Sequence, residues 1–306
     1  MPQAYDRWLA PSVFRPFAVD LARRAAKSAP RRLLEIAAGT GVLTRELVTA
    51  IPAARVTATD LNAAMVEFGS RRVPLAAWRQ ADALGLPFDD RQFDLVICQF
   101  GVMFFPDRPA AFGEMRRVLA PGGRLLFSTW GTVETHGFAA ALVAALAHAF
   151  PCDPPTFIAA VPHGYSDLGR VAADLAAGGL NCVSAEPVTF DGHADSAADV
   201  AAGFCTGTPL RMAIQARGDL AASTAIIADL MTARLGRGPV TAAMTAHVIE
   251  AHEPERTGRR AHPQLKGRSG TRWQTAAQRS GKQTPRCKPW ADWPGPRESA
   301  ATPPGR

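Results

Sequence analysis

The stretch Leu33-Leu34-Glu35-Ile36-Ala37-Ala38-Gly39-Thr40-Gly41 constrains this chain more than any other part of it. A short apolar run meets two glycines, after which Leu43 and Leu47 recur at helical spacing. Glycine has no Cβ, so the backbone can turn sharply there and a ligand can lie against it. A strand that turns directly into a helix belongs to a parallel crossover unit, and the same alternation continues on both sides of it. Phe14, Phe17, Leu21 and Ala25 predict a helix that Pro30 ends. Strands are predicted over Arg32–Ile36, Arg55–Thr59, Ala76–Gln80, Phe93–Cys98 and Arg124–Trp130. Helices are predicted over Val42–Ala50 and Asn62–Arg71, with a third marked by Phe112, Met115 and Leu119 and stopped by Pro121-Gly122-Gly123. This order predicts an α/β fold with a doubly wound sheet, whose ligand crevice lies at the carboxyl ends of the strands.

The next 120 residues are less regular. Helices are predicted over Phe138–Phe150 and Leu168–Ala177, the latter closed by Gly178-Gly179. Ser196–Leu235 reads as helical with a break near Gly203–Pro209, and Cys182–Phe190 and Met244–Glu250 read as strands. Together they complete a mostly parallel seven-stranded sheet and lay helical lid insertions over its face. Composition divides the chain once more. From Glu253 to Arg306 there are 12 basic and 4 acidic residues, 8 prolines, 6 glycines, and Leu265 as the sole residue among Val, Ile, Leu, Met and Phe. Such a segment cannot bury enough apolar surface to offset its ordering entropy, so it is expected to be a disordered basic tail, either solvated or, with Trp273, Trp290 and Trp293, a stacking arm for nucleic acid. The expected domains are therefore 1–252, with a ligand-binding core over about 30–130 and a lid with sheet completion over about 131–252, followed by 253–306.

The net charge of +7 belongs to that tail, because the first 252 residues hold 22 basic and 23 acidic side chains. The folded part thus offers no electrostatic case for nucleic acid. No apolar run reaches the ~18–20 residues of a membrane span, and no secretory signal is expected at the amino terminus. Five cysteines without a CxxC pair argue against a disulfide framework or a metal cluster, and a reducing cytoplasm is the expected location.

Two acids follow the glycine turn at telling places. Asp60 ends the second strand, 19 residues after Gly41, where a carboxylate can accept hydrogen bonds from both hydroxyls of a ribose. Gln80-Ala81-Asp82-Ala83 ends the third strand and sets another acid at the same edge, within reach of an adenine amino group. A dinucleotide fold would place a third glycine where Thr44 stands. The Tyr and Lys four apart that short-chain hydride transfer needs are missing, since Leu9 and Gly169 follow Tyr5 and Tyr165 at that spacing.

These residues resemble the class I S-adenosylmethionine-dependent methyltransferases, in the small-molecule branch similar to the ubiquinone/menaquinone C-methyltransferases. Glu35-x-Ala37-x-Gly39-x-Gly41 resembles the family's first motif, with Ala37 in place of its first glycine. Thr59-Asp60-Leu61-Asn62-x-x-Met65, Ala81-Asp82-Ala83-x-x-Leu86-Pro87-Phe88, Phe93–Cys98 and Leu119-x-Pro121-Gly122-Gly123 follow in the family's order, over Leu33 to Trp130. The resemblance implies S-adenosyl-L-methionine as cofactor. Its contacts would be Glu35, Ala37, Gly39, Gly41, Asp60, Leu61, Met65, Asp82, Ala83 and Gln99, with Tyr5 and Trp8 as lid residues. It implies methyl transfer by in-line displacement to a small-molecule acceptor, with no metal. Candidates for a general base are His136, His163 and Tyr165, and Arg211 is a candidate for holding a substrate carboxylate. Two other readings stay open: a donor-binding regulatory or interaction protein without turnover and, less favoured by Thr44, an NAD-dependent oxidoreductase. The acceptor atom, the acceptor itself and the oligomeric state are not encoded in any motif.

Overall fold

A computed structural model describes residues 2–254, so the expectation for the tail falls, from residue 255 on, outside the described residues. Seven strands form one sheet: β1 (Arg32–Ile36), β2 (Arg55–Asp60), β3 (Ala77–Gln80), β4 (Phe93–Gln99), β5 (Leu119–Trp130), β6 (Asn181–Ala194) and β7 (Val240–His252). Their order is β3-β2-β1-β4-β5-β7-β6. The pairs among β1 to β5 are parallel, and β7 is antiparallel to both β5 and β6. The strand order reverses between β1 and β4, which is the switch point where an open α/β sheet leaves a crevice.

Around the sheet lie α1 (Arg15–Ala26), α2 (Val42–Ala50), α3 (Ala63–Arg72), α4 (Arg108–Val118), α5 (Gly137–Ala149), α6 (Leu168–Ala177), α7 (Ala197–Gly207), α8 (Leu210–Gln215) and α9 (Leu220–Leu235). The central strands are apolar on both faces, as expected where helices cover both sides. Leu33, Leu95 and Ile97 join α1 and α2 in one core. Leu34, Val96 and Cys98, one residue out of phase, join α4, α5, α6, α7 and α9 in the other. Period-two alternation alone assigns each residue its side. Side-chain caps fix several helix starts: Asn62 accepts from the Ala64 amide at 2.9 Å and Asp107 from the Ala110 amide at 3.0 Å.

Three boundaries differ from the sequence reading. Leu119, expected in a helix, begins β5, which pairs Leu119 with Phe93 and then shifts register before Arg124 pairs with Leu95. Pro121-Gly122-Gly123 therefore interrupts a strand rather than ending a helix. β6 and β7 run to 14 and 13 residues, well beyond Cys182–Phe190 and Met244–Glu250, because each lends the other hydrogen bonds from Asn181 opposite His252 to Ala194 opposite Val240. Ahead of α1, Tyr5–Phe14 winds as a π-helix, with the Arg15 amide donating to the Ala10 carbonyl, five residues back. Among the described residues, no helix is long and apolar enough to cross a membrane.

Candidate functional site

The turn after β1 carries three left-handed residues in five: Ala37 at φ 56°, Gly39 at φ 57° and Gly41 at φ 85°. At Gly39 a Cβ would meet nothing within 4 Å, so the turn faces open space. At Ala37 the chain adopts a conformation that costs an L-residue ~1–2 kcal/mol. The loop after β4 comes against it, since a Cβ on Gly101 would stand 2.6 Å from both the Ala37 Cβ and the Cys98 Sγ. Only glycine at 101 lets those two loops meet.

Asp60 ends β2 and ties the turn. Its Oδ2 accepts from the Gly39 amide at 2.8 Å and its Oδ1 from the Asn62 amide at 2.9 Å. Burial raises its pKa, and these two amides work against that rise. Each carboxylate oxygen keeps a further lone pair. Glu35 lies one residue before the end of β1, 1% exposed, and its Oε2 has no hydrogen-bond partner. Burial, with Asp60 nearby, pushes its carboxyl up to about 8. The Thr44 and Thr40 hydroxyls are also buried and unpartnered. Cys98, buried under the β4 loop, has its thiol pushed up to about 12 by desolvation.

The remaining expected donor contacts rim the same edge. The Gln80 amide donates to the Leu61 carbonyl at 2.9 Å, joining the β3 and β2 ends, and the Ala81 amide donates to the Asp60 carbonyl at 3.0 Å. Asp82 is exposed and accepts from the Leu84 amide at 2.9 Å, whereas Ala83 is buried. Leu61 is exposed and Met65 half-buried on α3. The Gln99 amide donates to the Phe14 carbonyl at 2.9 Å and so pins the π-helical segment to the end of β4.

Over that end lies an aromatic group. Phe100 stacks on Trp130 with ring centroids 3.7 Å apart, Phe14 and Phe17 pack on both, and Tyr5 stacks on Phe14 at 4.8 Å. The Tyr5 hydroxyl has its pKa raised by burial, then by Asp60 and Asp6. Trp8, by contrast, lies under the Arg7 guanidinium, 5.1 Å from its ring centroid. Phe14, Phe100, Trp130 and Gly101 carried no motif signal. Phe100 is distinguished only by its backbone, at φ 53°.

His136 and His163 stand behind Trp130, their centroids 5.4 Å apart, 1% and 6% exposed. His136 Nδ1 accepts from the Ala139 amide at 3.2 Å, capping α5, so the proton of the neutral ring resides on Nε2. Burial and His163 push His136 down to about 3. His163 Nδ1 lies 2.8 Å from the Gly131 carbonyl and must donate to it, leaving its lone pair on Nε2. Burial lowers its pKa as well. Tyr165 is fully buried, its hydroxyl donates to Asp174 at 2.8 Å, and the Arg108 guanidinium covers its ring at 4.2 Å. Arg211 is exposed on α8. Nine of the ten residues expected to contact a donor thus lie at or just beyond the carboxyl ends of β1 to β4, with Met65 on α3. Tyr165 is committed to its own partners.

Comparison with known proteins agrees with this architecture. Residues 34–127 match the family described as methyltransferase domain. The demethylmenaquinone methyltransferase of Thermus thermophilus is 42% identical over 113 residues, covering 36% of this chain and 50% of that protein. The malonyl-(acyl-carrier protein) O-methyltransferase of Halorhodospira halophila is 38% identical over 113 residues, covering 35% of this chain and 37% of that one. The chain thus spans half or less of the length of these curated relatives. Among solved structures, the YcgJ protein of Bacillus subtilis superposes with a TM-score of 0.51 at 20% identity, covering 78% of this chain and 99% of that one, a likeness of fold. Strand order, glycine turn and matched segment converge: residues 34–127 are similar to the methyltransferase domain family, within a sheet that shares the fold of solved methyltransferase-like structures.

Proposed function

We propose that the chain transfers the methyl group of S-adenosyl-L-methionine to a small-molecule acceptor, and that residues up to 252 act as one catalytic unit. The observation that carries this reading is two acids without a cationic partner. Glu35 and Asp60 flank an open glycine turn, and neither makes an ion pair among the described residues. A nucleoside carrying an ammonium and a sulfonium supplies what those acids lack, and the unpartnered Glu35 Oε2 fits such a ligand. A dinucleotide brings anionic phosphates to the turn beside Glu35, so that acid disfavours the oxidoreductase reading, whereas Asp60 is compatible with either nucleoside.

The bound donor contributes a sulfonium that carries its own leaving group. The protein's part is to bind, orient and keep water away. Asp60 can accept from two ribose hydroxyls with its remaining lone pairs while it still holds the turn. Asp82 and Ala83 sit where an adenine edge would be read, and Met65 and Leu61 flank it. Gln99 holds the amino-terminal segment closed, so Tyr5 and Phe14 cover the crevice with apolar surface. Alignment of nucleophile and methyl in such a dry site can lower the barrier by up to ~7–11 kcal/mol.

If the acceptor must lose a proton, His163 suits the role best of the three candidates. Its Nε2 lone pair is uncommitted, whereas His136 caps a helix and Tyr165 serves Asp174. The relatives' printed names differ, demethylmenaquinone in one and malonyl-(acyl-carrier protein) in the other, so a small apolar or aromatic acceptor against Phe100 and Trp130 is argued from the aromatic wall alone. Calorimetric titration with S-adenosylmethionine and with NAD, followed by detection of S-adenosylhomocysteine across a panel of phenols, quinone precursors and carboxylates, tests the reading. Donor binding with product formation supports it. Donor binding with no turnover on any acceptor favours the silent donor-binding protein, and NAD binding alone overturns it.

A further inference from the structure

Glu35 differs from Asp60 at the crevice, because no backbone amide and no cation is brought to its charge, and the Thr44 hydroxyl alone favours the ionised form. Glu35 follows Leu33 by two residues in β1 and therefore shares the face covered by α1 and α2. It is enclosed, 1% exposed. The groups brought to it by its neighbours are all neutral or acidic: the Thr44 hydroxyl from α2, the Asp60 carboxyl from β2, and the Cys98 thiol from β4, with the Tyr5 hydroxyl of the amino-terminal segment beside Asp60. The arginines beside the glycine turn, Arg45 and Arg72, have acidic partners of their own. Arg72 pairs with Asp6 at 3.0 Å, and Arg15 and Arg45 both approach Glu46. A carboxylate enclosed beside a second carboxylate, with one oxygen lacking any donor, is the arrangement in which an acid keeps its proton.

Resting on the donor reading above, we propose that Glu35 is a charge-reading residue of the donor pocket: it is a neutral carboxylic acid in the empty protein and is ionised by a cationic ligand, so that donor binding releases a proton to solvent. The balance is simple. The Glu35 O–H bond breaks, the proton passes to buffer, and the carboxylate takes the ligand's positive charge as its partner. Loading is then coupled to pH, and a nucleoside without a cation gains nothing from Glu35. The raised carboxyl of Glu35, about 8, agrees with this geometry. Asp60 differs, because two backbone amides work against the rise that burial causes there.

The test is isothermal titration of S-adenosylmethionine into the full chain at pH 6.5, in buffers of different ionisation enthalpy. At that pH the ligand's α-amino group, with an ordinary value near ~7.7–8.0, stays charged. The slope of observed heat against buffer enthalpy counts protons. Wild type is expected to release close to one proton, and its affinity to rise about tenfold per pH unit from pH 5.5 to 7. Glu35→Gln, which mimics the protonated acid, is expected to bind with no proton released and with little pH dependence over the same range. Donor binding to wild type with heats independent of buffer overturns the inference and leaves the donor reading standing. Equal proton release from wild type and Glu35→Gln also overturns it, by assigning the proton to another group. Absence of donor binding in wild type overturns the donor reading and this inference with it. The wild-type measurement decides the matter even where the variant folds poorly.

Discussion

The donor half and the half that follows it solve different problems on one sheet. From β1 to β5, parallel strands deliver loops to a single edge, and the chemistry sits in backbone shape: three left-handed residues in a turn, two amides on Asp60, a glycine at 101 where two loops touch. From α5 onward the chain makes long antiparallel strands and helices that pack apolar surface, with Leu142, Leu146, Ile227 and Met231 all at 0% exposure. Its polar groups near the crevice, His136 and His163, hold backbone rather than face water. One half has a loop geometry that short motifs can encode. The other builds a wall whose composition is free to vary as long as it packs.

That contrast can be broken by paired substitutions. The largest effect is expected from Leu142→Ala in α5. Truncating a fully buried leucine should cost ~2–5 kcal/mol of stability, a drop of ~2–4 °C per kcal/mol in melting temperature for a domain of this size. Its donor affinity should stay within threefold of wild type. A large loss of donor affinity in the folded variant would show that the two halves are not separable.

Asp60→Ala should do the reverse. Charged hydrogen bonds to ribose hydroxyls are worth ~1.5–3 kcal/mol each, so donor binding should weaken by ~1.5–4 kcal/mol, roughly 10- to 1000-fold. Because Asp60 also holds the Gly39 and Asn62 amides, apo stability should fall by ~1–3 kcal/mol. Asp60→Asn should lose less on both counts. Unchanged affinity in Asp60→Ala, read by calorimetry, would remove the donor site from this edge.

The pH dependence of the apo protein separates the halves again. His136 titrates near 6.5 when unfolded and about 3 when folded, so the unfolded chain binds the extra proton between those values. Its contribution is complete above pH 6.5 and is lost as pH falls toward 3, about 2 kcal/mol at pH 5. Glu35 has the opposite sign. With a folded value of about 8 against 4.5, its contribution is complete below pH 4.5 and is lost as pH rises through 8. Urea melts of Glu35→Gln should therefore show a gain of at least ~1 kcal/mol over wild type at pH 8, with the acid limb unchanged. A Glu35→Gln protein no more stable than wild type at pH 8 would contradict a protonated buried acid.

The smallest effect is expected at Ala37. Glycine adopts its φ of 56° freely, but flexibility in the unfolded chain offsets that gain. Ala37→Gly should stay within ~1 kcal/mol of wild type by thermal melting. A loss beyond ~2 kcal/mol would mean that the Ala37 methyl packs against Gly101 in a way the turn depends on.

The alternation of β1 to β5, the glycine turn, and the positions of Asp60 and Asp82 at strand ends were legible in the residues alone. These features are local: period-two burial, helix caps and left-handed turns are set by residues a few places apart. Glu35 could be named as a candidate from its motif, but not its enclosure, which follows from what surrounds it across β2, β4 and α2. The full length of β6 and β7 came from their mutual pairing, and the start of β5 at Leu119 from its pairing with Phe93. Tyr165 looks like any other tyrosine in a loop until Asp174 and Arg108 are found around it. The aromatic wall of Phe14, Phe100 and Trp130 joins residues 86 and 30 places apart in the chain. No periodicity spans such distances. Burial and desolvation act through space, so only the packed tertiary structure decides which acid keeps its proton and which histidine keeps its lone pair.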